Sequence, residues 1–169
     1  NKSQYHGLKK FLAKNSKDLG KDDKDVVFFI MPDKLLKVVN NVSKRSAEIV
    51  FKANKIGKGS DFKETHILIN QNNFTETVKI FKALGITNNI MRSFQRRHNY
   101  SYKGVEIALK YSKHWGYHLE LEIVVNNLKN KPKAEAKIKK VARELNIDLM
   151  TDKELREFTQ KKEREYQEK

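Results

Sequence analysis

The stretch 118–124, HLELEIV, sets polar side chains at every second position of an apolar run. Successive residues of a strand point to opposite faces, so a chain that repeats this pattern must build sheet with one apolar and one charged face. The pattern does repeat. Lys37 lies within LLKVV, Lys52 within EIVFK, Lys63 within FKETH, Lys110 ends EIALK, and Arg96 and Arg97 stand in FQRRHNY. In AEIVFKA, Glu48 and Lys52 share a face with Val50; in GVEIALK, Glu106 and Lys110 share one with Ala108. For a single strand, charge facing water is the plain explanation. Recurrence in nearly every strand favours rows of charge turned inward, as in a closed, polar-lined barrel.

Periodicity places the other elements. Tyr5, Leu8, Phe11 and Leu12 have helical spacing over 3–14, and NSKDLGKDDKD reads as a charged loop. Strands are expected at VVFFIM, KLLKVV, AEIVFKA and FKETHILI, with a turn at 57–61. A helix follows over 73–85, capped by Asn73 or Thr75 and stopped by Gly85. Three more strands are expected at about 90–100, 104–111 and 117–125. A helix over 131–146 turns Ile138, Val141, Ala142 and Leu145 inward, and Thr151 with Glu154 signals a capping box for a last helix to about Tyr166. About seven strands joined mostly by short turns, with no βαβ alternation, predict an α+β antiparallel sheet. The expected organisation is one domain over 1–150 and a helical extension over 151–169.

A net charge of +15 on 169 residues predicts attraction to polyanions: nucleotides, polyphosphate, nucleic acid or an acidic surface. No cysteine is present, which removes disulfides and thiolate metal sites. No apolar run reaches the ~20 residues of a membrane span, and the first residues do not resemble a signal peptide, so a cytoplasmic protein without a membrane partner is expected. Rows of Lys and Arg suit phosphate chains, Arg through planar bidentate contacts and Lys as a point charge. A carboxylate pair suits a hard divalent ion that bridges phosphate oxygens, and the two together serve phosphoryl transfer.

The ordered set NNFTETVKIFKALGI, FQRRHNYSYKGVEIALKYSKHWGYHLELEIVV and AEAKIKKVARELNI resembles the CYTH superfamily of class IV adenylate cyclases and thiamine triphosphatases, the triphosphate tunnel metalloenzymes. The likeness covers about residues 34–148. It implies a closed antiparallel barrel with flanking helices, and Mg²⁺ or Mn²⁺ on acidic strand residues. Glu120 and Glu122 match the family's C-terminal Glu-x-Glu, and Glu64 matches a mid-chain acidic position. Lys37, Lys52, Lys63, Arg97 and Arg96 fall at or near its basic, phosphate-binding positions. No catalytic residue is assigned.

The family's Glu-x-Glu-x-Lys strand should precede the first helix and is not found; either the chain is cut upstream of Asn1 or half of the metal site is lacking. Lys110 stands where the family often has Asp, and Gln95 where Lys is frequent. The expected function is metal-dependent action on a triphosphate, either ATP to cyclic AMP and pyrophosphate or hydrolysis of inorganic or thiamine triphosphate. The partner is then a nucleotide or polyphosphate, with a homodimer allowed. Two alternatives stand beside it: a non-catalytic nucleotide or polyphosphate binder, and a basic nucleic-acid-binding module using Tyr100 and Tyr102 beside Arg96 and Arg97.

Overall fold

Short β-rich runs separated by turn residues pair with their neighbours, and the chain does this repeatedly. The computed structural model describes residues 2–53 and 64–168; the expected turn at 57–61 and Lys63 lie outside the described residues. The order is α1 (Lys2–Asn15), β1 (Lys17–Lys21), β2 (Lys24–Ile30), β3 (Leu35–Asn41), β4 (Ser46–Lys52), β5 (Glu64–Ile69), α2 (Phe74–Ala83), β6 (Ile90–Tyr102), β7 (Val105–Ser112), β8 (Gly116–Glu122), α3 (Lys131–Glu144) and α4 (Asp152–Gln167). The strands run in the order β5-β4-β3-β2-β6-β7-β8, with β1 also paired to β6. The expected α+β antiparallel sheet is therefore present. Its path ends at β5 and β8 and does not close on itself among the described residues, so the closed barrel is not formed by strand pairing there. No described helix is long and apolar enough to cross a membrane.

The chain divides into two compact units, Asn1–Asp22 with Arg96–Leu149, and Asp23–Gln95 with Met150–Lys169. In the first, Tyr100, Val105, Ile107 and Leu109 turn one face of β6 and β7 toward Leu8 and Leu12 of α1 and Val141 of α3. Leu12, Val105, Ile107 and Leu109 are fully buried, each burial contributing roughly 1.5–3 kcal/mol. The Lys103–Gly104 turn joining β6 to β7 has φ of +50° and +72°, the left-handed pair that a two-residue hairpin needs. In the second unit, Val27, Phe29, Leu36, Val38 and Ala47 pack under Phe74, Val78 and Phe81 of α2. Tyr166 of α4 packs against Ile30, Leu35 and Met91, and its hydroxyl accepts from the Arg92 backbone N–H at 3.1 Å.

Two sequence expectations need correction. Part of the charged loop NSKDLGKDDKD is β1, which makes eight strands among the described residues. It pairs with β6 through an irregularity at Asp18/Gly20, where Gly20 takes φ +86°. Backbone bonding to the long β6 overrides a composition that disfavours strand. β8 ends at Glu122 and not at 125. The capping box is as expected: the Thr151 hydroxyl accepts from Glu154 N–H and the Glu154 carboxylate accepts from Thr151 N–H at 2.7 Å. Asn73 sits at the α2 N-cap without a side-chain capping bond; Asn70 caps the preceding short helical turn instead.

Candidate functional site

Alternation gives each unit a polar sheet face opposite its helix-covered one. In the first unit this face carries Arg97 and Asn99 of β6, Glu106, Ala108 and Lys110 of β7, and His118, Glu120 and Glu122 of β8. The β7–β8 register sets Lys110 opposite His118, Ala108 opposite Glu120 and Glu106 opposite Glu122. Arg97 is the hub. Its Nε donates to Asn99 Oδ1 at 2.7 Å and lies 3.2 Å from Asp22 Oδ2, while its two Nη atoms lie 3.4 Å from Glu106 and 3.8 Å from Glu120. The Asn99 amide donates to both Asp22 and Glu106. Lys110 Nζ donates to Glu120 Oε1 at 2.8 Å, with only 8% of the Lys110 side chain exposed.

The charges set the protonation states. Half of the Glu120 side-chain area is open to water, yet enough protein surrounds the carboxyl for desolvation to be the largest single influence, pushing its pKa up. The Lys110 charge and hydrogen bond, with Arg97 and His118, more than reverse this and hold Glu120 well below the usual carboxylate range. Solvent screens part of that pairing. Burial, then the Lys110 charge, pushes His118 below the usual histidine range. Its Nδ1–H donates to the Gly116 carbonyl at 3.1 Å, because a carbonyl can only accept.

In the second unit Lys37, Glu48, Val50, Lys52, Glu64 and His66 share the face away from α2, through the pairs Lys37↔Val50, Val50↔His66 and Lys52↔Glu64. Lys52 is ion-paired with Glu64. His66 Nδ1 lies 2.8 Å from Glu48 and Nε2 3.2 Å from Glu64. Burial raises the Glu64 pKa, but Lys52, Lys37 and His66 outweigh it and the net shift is downward.

Of the expected metal and phosphate residues, Glu120, Glu122 and Arg97 thus share one face, and Glu64, Lys37 and Lys52 share another. Arg96 is exposed on the opposite side of β6 from Arg97. Asp22 and Asn99 escaped the sequence argument: Asp22 follows a segment with no periodicity, and Asn99 carries no charge to flag it. Tyr100, a candidate stacking residue, is 1% exposed. The open depression of about 420 Å³ lined by Arg45, Leu68, Asn70 and Gln71 holds none of these residues.

The family resemblance implies a divalent ion. Among the described residues no group of three His, Asp or Glu side chains is placed to hold a metal. Three carboxylates do gather, from Asp22, Glu106 and Glu120, but around the Arg97 guanidinium. Glu120 is engaged by Lys110 and Glu64 by Lys52. As arranged, these residues do not fit a divalent ion.

No family model matches the chain, and no curated protein does either. Solved structures do. The PH1012 protein of Pyrococcus horikoshii OT3 superposes with a TM-score of 0.70 at 21% identity, covering 92% of this chain and 94% of that one. A candidate adenylate cyclase of Vibrio parahaemolyticus gives 0.64 at 10% identity, covering 91% and 86%. A candidate adenylyl cyclase of Hippeastrum, HpAC1, described as having a dominant triphosphatase activity, gives 0.61 at 13%, covering 87% and 84%. At such identities the likeness is one of fold.

Proposed function

We propose that this chain acts on a triphosphate, as a CYTH-like adenylate cyclase or triphosphatase. The observation that carries the proposal is the withdrawal of cations from water on a polar sheet face, with Arg97 13% and Lys110 8% exposed, in a fold shared with proteins described as cyclase and triphosphatase. Arg97 presents a planar fork to phosphate oxygens and Lys110 a point charge. Phosphate oxygens would exchange with the carboxylates that hold these cations now. In hydrolysis, water attacks the terminal phosphorus and the remaining diphosphate leaves. In cyclisation, the ribose 3′-hydroxyl attacks the α-phosphorus and pyrophosphate leaves.

Calorimetric titration with tripolyphosphate and ATP, with and without Mn²⁺, tests binding, and assays for released phosphate and cyclic AMP test turnover. Saturable binding that weakens on Arg97→Met supports the proposal; no binding by either compound sinks it. The engagement of Glu120 by Lys110 and of Glu64 by Lys52 favours a second reading, a non-catalytic binder. That reading predicts binding without product.

A further inference from the structure

His118, Glu120 and Glu122 stand at alternate positions of β8 and share a face. With its Nδ1–H committed to the Gly116 carbonyl, neutral His118 carries its lone pair on Nε2. An imidazole nitrogen and carboxylates are donors of the kind that suit Mn²⁺ and similar ions, although as placed these three do not form a metal-holding group. A cation already occupies the row, however. Register places Lys110 opposite His118, and from there its ammonium reaches diagonally to Glu120 at 2.8 Å. Ala108, opposite Glu120, puts only a methyl group beside that path.

We infer that Lys110 is a tethered cation that takes the place of a divalent ion on the His118–Glu120–Glu122 row and closes that row to metal. An incoming ion would meet the repulsion of Lys110 and of Arg97, 3.8 Å from Glu120. It would also strip the carboxylate from a buried ammonium, and removing one partner of a buried pair is strongly unfavourable. The inference concerns metal binding without phosphate, so it stands or falls separately from the triphosphate proposal.

The test titrates Mn²⁺ into the full chain without phosphate, following free Mn²⁺ by electron paramagnetic resonance and heat by calorimetry. Wild type is expected to show no saturable site that depends on Glu120. Lys110→Met is expected to bind Mn²⁺ at least about tenfold more tightly, a modest share of what removing one nearby like charge implies. Lys110→Met/Glu120→Gln should lose that gain, and His118 resonances should broaden only in the single variant. Saturable wild-type binding abolished by Glu120→Gln would overturn the inference, as would a folded Lys110→Met chain with no gain. Lys110→Gln, which keeps a hydrogen bond to Glu120 without the charge, replaces the Met variant if that one fails to fold. Tripolyphosphate is titrated separately, and its failure to bind would count against the triphosphate proposal alone.

Discussion

Arg97 shows what a single residue contributes to this protein. Its side chain is 13% exposed and that of Asp22 beside it 4%, so Arg97→Met leaves a buried carboxylate short of its counter-charge. The expected loss is about 3–5 kcal/mol, read from urea unfolding, with a smaller loss for Arg97→Lys. His118 and Glu120 predict the pH dependence. The folded pKa of His118 lies below its ordinary value of 6.5, so the unfolded chain takes up the proton first and stability falls as pH drops below 6.5. Glu120 and Glu64 lie below their ordinary 4.5. Their contribution is full above that pH and is lost as pH falls from 4.5 toward the folded values. Stability measured against pH should lose the upper part of this slope in His118→Gln and some of the lower part in Glu120→Gln. Nuclear magnetic resonance should show the His118 titration moving upward in Lys110→Met, since a like charge is removed.

At the scale of elements, local signals worked where they described local bonds. The Thr151/Glu154 capping box was legible because both hydrogen bonds lie within four residues. Thr151→Ala should cost about 1 kcal/mol, seen as a lowered thermal midpoint, and Thr151→Ser should retain most of it. The α3 stripe was legible for the same reason: helical period alone turns Val141 and Ala142 inward, and both are buried. β1 was not legible. Its five residues, KDLGK, have neither alternation nor β-branched content, and they are strand because β6 offers an edge from His98 to Ser101. The end of β8 was overrun for the converse reason. Ile123, Val124 and Val125 have strand-forming side chains, yet the ladder with β7 stops at the Glu106↔Glu122 pair.

At the scale of the whole molecule, the charge of +15 bears on how polyanions bind. Cations on exposed faces are screened by salt, whereas those withdrawn from water are screened much less. Tripolyphosphate binding at Arg97 and Lys110 should therefore outlast a rise in salt that removes any binding of a single-stranded oligonucleotide, whose affinity falls steeply through counterion release. Competition titrations at low and high NaCl would show it, and equal loss for both ligands would place tripolyphosphate on the exposed lysines. The amino-acid sequence alone determined which residues share a face, because alternation is a property of one strand's backbone. From it came the α+β antiparallel class and the shared faces within single strands: His118, Glu120 and Glu122 on one, Glu48 and Lys52 on another, Glu106 and Lys110 on a third. Tertiary structure alone decided what those side chains touch. Lys110 meets Glu120 through the register of a hairpin, and Asp22 meets Arg97 because its backbone N–H bonds the Arg97 carbonyl across the sequence at 2.9 Å. Contacts of that kind depend on how distant segments pair, and side-chain periodicity carries no record of it.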